Sequence, residues 1–183
     1  MRVIQNLPPV LLTLASSFAL IACTNDTAPD SREPPSIPED DVAYVDELVP
    51  HHEMATRMAD EVIARGANGD VRAMAERMKA AQQEEIAILL SAREAVEGQR
   101  AVPPMVDPHM DADMAELRSL SGLELDRAFL RHMIPHHAGA VVTSHRAMPN
   151  LQRDDLRALA QMTVEMQTRE AAEMLDKLES LGE

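Results

Sequence analysis

Apolar residues recur every three or four positions along most of the chain after residue 40, which is the periodicity of amphipathic helices. The pattern is interrupted by Gly66-Ala67-Asn68-Gly69 and by Pro149-Asn150, both typical turn sequences. It predicts four long helices, at residues 40–65, 70–97, 121–148 and 154–181. Ser121 followed by Glu124 indicates a capping box at the start of the third. Four such helices joined by short turns predict an all-α fold, an antiparallel four-helix bundle.

The second pair of helices repeats the first in sequence. A shift of 85 positions places Pro50-His51-His52 on Pro135-His136-His137. The same shift, without a gap, places DVRAMA at residues 70–75 on DLRALA at residues 155–160. We interpret this long gapless register as two repeated helical hairpins. The bundle domain, residues 39–183, then consists of repeat one at 39–97, a linker at 98–120 and repeat two at 121–183.

The linker contains prolines at positions 103, 104 and 108, which forbid one continuous helix across it. Beside these prolines stand Met105, Asp107, His109, Met110 and Asp111. This composition allows two interpretations. The linker either contributes an accessory metal-binding loop or is a crossover with a short helix.

Residues 1–22 have the features of an export signal, with Arg2 followed by an apolar run that is short for a membrane span. The run ends in Leu20-Ile21-Ala22-Cys23, which resembles a bacterial lipobox, and Cys23 is the only cysteine. We predict a lipoprotein signal peptide, with a plain secretory peptide as the alternative. Residues 23–38 contain four prolines and little to bury, which predicts a flexible tether. A lipid on Cys23 would anchor the protein to a membrane of the bacterial cell envelope, facing the periplasm.

The chain is acidic, with a formal charge of −14 that becomes −15 without residues 1–22, because Arg2 is the only charged residue lost. Such a surface repels nucleic acid and concentrates cations, so we expect no nucleic-acid partner. Aromatic residues make up only 2% of the chain. The abundance of Ala, Leu, Met, Glu and Arg favours helices over a β-sheet.

The two Pro-His-His motifs place polar side chains on helix faces that should turn inward. His51 and His52 continue the apolar stripes of the first helix, and His136 and His137 continue those of the third. A single buried histidine is usually structural and is held by a hydrogen bond. Four at equivalent inward positions predict that the core holds a metal site, around one shared ion or two.

Methionines and a further histidine stand beside these motifs, three, four or seven positions from a motif histidine. Residues three or four apart lie on one side of a helix. Imidazole with thioether is a soft-to-borderline ligand set that suits copper, and Cu(I) in particular, over Mg²⁺ or Ca²⁺. We therefore predict a copper ion, Cu(I) or Cu(II), with a ligand set drawn from His51, His52, Met54, Met58, His132, Met133, His136 and His137.

Two other features near the histidines each allow two interpretations. Pro50 and Pro135 either lie inside a helix and bend it or begin a new helical segment. On the second helix of each repeat, a Gln and a Glu three residues later fall on or beside the apolar stripe. They either orient imidazole N–H groups or are boundary residues with buried stems. These residues are Gln82 and Glu85, and their counterparts Gln167 and Glu170.

The segment Met133-Ile134-Pro135-His136-His137, with Asp126-x-x-Phe129 before it and Gln167-x-x-Glu170 after it, resembles the domain-of-unknown-function 305 family. The resemblance implies a ferritin-like four-helix fold in secreted or envelope proteins, some of which bind copper through His and Met. The first copy departs from the motif, since Leu48-Val49 replaces Met-Ile and Glu47 stands where the second has His132. We therefore expect unequal half-sites.

The leading hypothesis is a copper-binding envelope lipoprotein that buffers, stores or transfers the ion, with another copper-handling protein as a candidate partner. One alternative is a ferritin-like di-iron enzyme, but such sites use Glu-x-x-His pairs and the sequence contains none. It also lacks a glycine-rich phosphate loop, and no cysteine remains after position 23, so we do not expect an enzyme. The other alternative is a metal-free helical adaptor with structural or pH-sensing histidines.

Overall fold

The computed structural model describes residues 40–105 and 107–182, and these residues form five α-helices and no β-strand. The helices are α1 (Asp41–Arg65), α2 (Gly69–Glu97), α3 (Pro108–Ser119), α4 (Gly122–Ala147) and α5 (Asp154–Ser180). The predicted all-helical class is confirmed for this part of the chain. The signal peptide at 1–22, the anchor at Cys23 and the tether at 23–38 lie outside the described residues. Within the described part, no helix has the length and apolarity that crossing a bilayer requires.

The linker is a crossover that contains the short helix α3. Asp107 begins this helix by accepting hydrogen bonds from the backbone N–H groups of His109, at 2.8 Å, and Met110, at 3.4 Å. Pro108 stands in the first turn, where a helix needs no amide hydrogen. The far end of α3 is held by Arg65 of α1, whose guanidinium donates to the carbonyl oxygen of Leu117 at 3.0 Å. The crossover therefore lies against the histidine-bearing helices α1 and α4.

The predicted capping box at the start of α4 is wrong. Ser121 occupies the N-cap position, but its side chain makes no capping hydrogen bond. The Glu124 carboxylate instead accepts a hydrogen bond from Arg127 at 3.1 Å. An arginine three residues later lies on the same exposed helix face and competes for the carboxylate, and the capping motif takes no account of it.

The buried side chains form two clusters on either side of the histidines. The methionine-rich cluster contains seven buried methionines: Met54, Met58, Met74, Met78, Met114, Met133 and Met174. The tyrosine cluster surrounds Tyr44, and none of its described, fully buried members is a methionine. Along α1 the histidines lie between Val49 of the tyrosine cluster and Met54 of the methionine-rich cluster. Along α4 they lie between Met133 and Ala140 in the same way.

Two buried aspartates fasten the helical pairs to each other. Asp126 of α4 accepts hydrogen bonds from the backbone N–H groups of Ala67, at 3.0 Å, and Asn68, at 2.7 Å, in the α1–α2 turn. Asp41 of α1 does the same for the α4–α5 turn, from Gln152 at 2.8 Å and from the next residue at 3.2 Å. Each aspartate supplies acceptors that free N–H groups at a helix start require. These two clasps hold both ends of α1 and α4 and so position the histidines between them.

Pro50 and Pro135 lie inside α1 and α4. The alternative in which each begins a new helical segment is therefore wrong. Because proline has no amide hydrogen, neither residue can make the helical hydrogen bond to the carbonyl group four positions earlier. Both irregularities stand immediately before a histidine pair.

We predict that Gly66→Ala destabilises the protein while Gly69→Ala does not. A Cβ at position 66 would collide with Asp126 Oδ1 and lie 2.7 Å from the backbone oxygen of Val62, whereas at position 69 it would meet nothing within 4 Å. Such crowding costs about 1–3 kcal/mol. Urea unfolding should show a lower midpoint for Gly66→Ala alone. Equal midpoints for the two variants would contradict the proposed tight contact between Asp126 and the turn.

Candidate metal centre

Two of the four motif histidines stack on each other where α1 meets α4. The ring centroids of His51 and His136 are 3.8 Å apart and their planes are inclined by 25°. His51 Nε2 also lies 3.1 Å from the backbone oxygen of His136. A carbonyl oxygen only accepts, so Nε2 of His51 carries the hydrogen and its lone pair lies on Nδ1. Both rings are buried.

The other two histidines are each held by a carboxylate from the neighbouring helix. His52 Nε2 lies 2.6 Å from Glu85 Oε2 of α2, and His137 Nε2 lies 2.8 Å from Glu170 Oε2 of α5. Both rings are completely buried. An ionised carboxylate only accepts, so each Nε2 donates and each Nδ1 keeps its lone pair. Of the two interpretations considered for these glutamates, the structure shows the one in which they orient imidazoles.

Buried polar atoms without partners are concentrated around these rings. Among the described residues, nine buried side-chain nitrogen and oxygen atoms lack a hydrogen-bond partner, and eight of them belong to His52, Gln82, His136, His137 and Gln167. The ninth is an oxygen of Asp126 at the turn. Each such atom costs about 1–3 kcal/mol when it stays unpaired. Three of the eight are the Nδ1 atoms of His52, His136 and His137, which can bind a metal ion.

The central imidazoles are neutral. The pKa of His51 is lowered from 6.5 to about 3, chiefly by burial and next by the nearby His52, while the hydrogen bond to the His136 backbone acts in the opposite direction. Burial also holds the pKa of His136 well below its ordinary value, with His51 as the next cause. Neutral imidazole is the form that binds metal ions, so no proton has to leave these rings first.

The predicted methionine ligands lie on one side of the histidines. Met54, Met58 and Met133 are buried, with exposed fractions of 7%, 2% and 1%, and belong to the methionine-rich cluster. The Met54 sulfur accepts a hydrogen bond from Arg57 at 3.7 Å. Met54 and Met133 stand one helical turn from a motif histidine, and Met58 stands about two turns from His51.

His132 contacts two carboxylates of the crossover helix. Its Nδ1 lies 3.2 Å from Asp113 and its Nε2 3.0 Å from Glu116, both on α3. His132 stays a predicted ligand, and the carboxylates of α3 are the partners that the structure gives it. The sequence allowed a short helix in the linker, but it gave no sign that its acidic residues would reach His132.

A polar network extends from the histidines into the tyrosine cluster, and sequence reasoning missed it. The hydroxyl groups of Tyr44 and Ser144 hydrogen-bond at 3.0 Å. Thr143 donates to Glu47 at 2.8 Å, and Thr163 donates to Glu85 at 3.2 Å. The 85-residue register offered a signal, because it pairs these polar residues with apolar ones. At the shift of 85 positions, Tyr44 corresponds to Phe129 and Ser144 to Ala59. Thr143 corresponds to Met58 and Thr163 to Met78.

The side chains do not form a finished coordination site from imidazole and carboxylate alone. Among the described residues, no three His, Cys, Asp or Glu side chains are grouped so that they could hold an ion. The rings of His51 and His136 face each other by their planes, so their nitrogens do not converge. The described imidazoles and carboxylates thus do not present three ligands to one point.

The residues that the structure describes define an all-helical protein with four buried histidines, two on α1 and two on α4. The profile of the domain of unknown function DUF305 matches residues 41–178. The protein belongs to the DUF305 family. No functionally curated protein matches the sequence significantly.

Several solved structures share this fold. A candidate secreted DUF305 protein from Streptomyces coelicolor is 23% identical, with a TM-score of 0.71 over 79% of this chain and 95% of its own. A DUF305 fragment from Deinococcus radiodurans is 28% identical, with a TM-score of 0.69 over 80% of this chain and 99% of its own. CopM in the Cu(II)-bound form is 25% identical, with a TM-score of 0.70 over 77% of this chain and 97% of its own.

We predict that the metal-free protein loses stability as the pH falls from 7 to 5, through His51 and His136. The unfolded chain binds protons at these positions below pH 6.5, whereas in the folded state the pKa of both groups is much lower. Protons therefore favour unfolding by about 2 kcal/mol per imidazole over this range. Urea unfolding of wild type and of a His51→Gln/His136→Gln variant should show a shallower pH dependence in the variant. His145→Gln, at an exposed position, is the control, and identical slopes for all three proteins would refute the assignment.

Proposed function

We propose that the protein is a copper-binding lipoprotein of the bacterial cell envelope, which buffers, stores or transfers the ion through His and Met ligands. The observation that supports this best is the group of unpaired ring nitrogens on the buried imidazoles of His52, His136 and His137. A folded protein does not leave so many buried polar atoms without partners unless something else satisfies them. A metal ion bound to imidazole would do so.

The glutamates support a metal rather than a purely structural role. Metal-binding histidines almost always donate their second ring N–H to a carboxylate or carbonyl group, which fixes the tautomer and the ring. Glu85 and Glu170 accept from Nε2 of His52 and His137, and the Nδ1 atoms are the free ones. The hydrogen bond from His51 to the His136 carbonyl serves in the same way.

The methionine-rich cluster supports a soft ion. Thioether sulfur prefers Cu(I) and similar soft ions, while Mg²⁺ and Ca²⁺ take oxygen ligands. Met54, Met58 and Met133 belong to the methionine-rich cluster on one side of the histidines, and the other side carries hydroxyl groups and Glu47. We infer that the ion lies toward the methionine side, with unequal contributions from the two halves.

Similarity to CopM supports copper as the metal. CopM has been crystallised in Cu(I)-bound, Cu(II)-bound and Ag-bound forms, and those chains are 22%, 25% and 24% identical to this one. These neighbours indicate metal binding rather than catalysis. The same reasoning makes a metal ion the first partner of this protein, with a further copper-handling protein as the donor or acceptor.

We also infer that the chain is a four-helix bundle of two repeated hairpins. Three kinds of contact recur at positions 85 apart, which supports this. They are the aspartate clasps of Asp41 and Asp126, the histidine–glutamate pairs, and the inward histidines themselves. A lipid on Cys23, followed by the tether at 23–38, would hold this bundle at a membrane.

A metal titration tests the proposal. We expect the purified full-length protein to bind Cu(I) under reducing conditions, and a His51→Ala/His52→Ala/His136→Ala/His137→Ala variant to lose that binding. The measurement is competition with a colorimetric Cu(I) chelator, repeated with Cu(II) in air. The control is His109→Ala/His145→Ala, which removes two exposed histidines outside the centre. Copper binding that is equal in wild type and in the quadruple variant would end the proposal.

Glu170→Gln should weaken copper binding without unfolding the protein. A carboxamide is uncharged and accepts a weaker hydrogen bond from Nε2 of His137 than the carboxylate does, and its NH₂ group can instead donate to Nε2, which moves the ring hydrogen to Nδ1. Loss of such an outer partner lowers metal affinity by roughly 10- to 100-fold. Chelator competition gives the affinity, and circular dichroism checks the fold. Glu84→Gln, at an exposed position next to Glu85, is the matched control, and an unchanged affinity in Glu170→Gln would show that His137 does not bind through Nδ1.

A further inference from the structure

A cavity of about 190 Å³ opens at the seam between α2 and α5. Three of its lining residues are methionines, two from α2 and one from α5, and none of them belongs to the predicted ligand set. They are Met74, Met78 and Met166. Met74 and Met78 are one helical turn apart and buried, and Met166 is half-buried. The cavity therefore brings three thioethers together at a place that solvent can reach.

The cavity leads directly to the metal centre. Glu170 also lines it, and the Glu170 carboxylate is the group that binds His137 Nε2 at 2.8 Å. The Glu170 side chain is 20% exposed, whereas that of His137 is completely buried. One residue thus separates the cavity from a buried imidazole whose Nδ1 has no partner.

The charge of the lining residues gives the cavity no preference for a cation or an anion. Its lining includes Arg77 and Arg169 as well as Glu170 and Glu173, so the formal charges cancel. Arg77 lies 3.8 Å from Glu173, and Arg169 donates to a backbone oxygen of its own helix. Both guanidinium groups are therefore engaged away from the sulfurs. Any preference must come from the thioethers, which favour soft ions.

The sulfur lining occurs at one end of the seam only. The positions 85 residues from Met74, Met78 and Met166 are Leu159, Thr163 and Ala81, none of which contains sulfur. Leu159 is as well buried as Met74, with exposed fractions of 2% and 6%, so packing alone does not require methionine here. The difference matches the position of the methionine-rich cluster on one side of the histidines.

We propose that this cavity is the entry site of the metal centre, where a soft monovalent ion, Cu(I) or Ag(I), binds to Met74, Met78 and Met166 before it reaches His137. The proposal rests on the proposed function and adds a second, transient site to it. The transfer needs no change of oxidation state. It also releases no proton. Thioethers carry no proton to lose, and Nε2 of His137 keeps its hydrogen and its hydrogen bond to Glu170 while Nδ1 accepts the ion.

Nuclear magnetic resonance of methionine methyl groups tests this entry site. Full-length protein labelled with both [methyl-¹³C]methionine and ring-¹³C histidine is titrated with silver nitrate, since Ag(I) is a soft monovalent ion that does not change oxidation state. Met74→Leu, Met78→Leu and Met166→Leu variants assign the signals, and leucine keeps the volume of each side chain. We expect the three methyl signals to shift at the first additions of Ag(I). We expect them to shift also in the quadruple histidine variant, where onward transfer is blocked.

The matched control is the methyl signal of Met162, which a Met162→Leu variant assigns. Met162 is exposed on α5 one turn before Met166 and does not line the cavity. The Met162 signal should stay unchanged. Histidine signals that respond to Ag(I) while those of Met74, Met78 and Met166 do not would overturn the entry site and leave the proposed function standing. The reverse pattern, with methionine shifts and no histidine response, would keep the cavity as a metal site and contradict the proposed function. No response from either set would refute both.

Discussion

Four imidazoles enclosed between α1 and α4 create a demand for hydrogen-bond partners that the surrounding helices only partly meet. The rings of His52 and His137 each donate to one carboxylate, of Glu85 and Glu170. The ring of His51 donates to a backbone carbonyl oxygen. Nδ1 of His52 and His137 and both ring nitrogens of His136 have no hydrogen-bond partner among the described residues, and burial keeps His51 and His136 neutral. Such a layer is costly unless an ion satisfies it, because unpaired buried groups lose their hydration without compensation. The rest of the fold holds these four imidazoles in place.

The holding forces act at the ends of α1 and α4 rather than at the histidines. Asp126 and Asp41 each tie one of these helices to the turn of the opposite pair. Their hydrogen bonds are to backbone N–H groups and involve a charged acceptor, which makes them stronger than neutral ones. With both ends fixed, the relative rotation of α1 and α4 is set, and so is the stacking of His51 on His136. The proline before each pair adds local irregularity without interrupting either helix.

The sequence was sufficient for features that depend on local pattern. Turn residues such as Gly66 and Asn68 marked the helix ends, and the helical period placed all four histidines inside. It was insufficient wherever two distant helices had to be oriented against each other. The contacts of His132 depend on where α3 crosses α4, and the cavity at Met166 depends on the spacing of α2 and α5. The hydrophobic periodicity of a single helix predicts neither this crossing nor this spacing.

The division of the core shows how a symmetric sequence pattern can yield an asymmetric centre. Positions that are polar in the tyrosine cluster, such as Thr143 and Thr163, correspond to Met58 and Met78 in the methionine-rich cluster. The hydroxyl groups there bond Glu47 and Glu85, so that side satisfies its own polar atoms. The methionine-rich cluster instead offers thioether sulfur, a ligand type that suits a soft ion. The two sides of the histidine region thus differ in chemistry, with hydroxyl and carboxylate groups on one side and thioethers on the other, although both repeats contribute residues to each side.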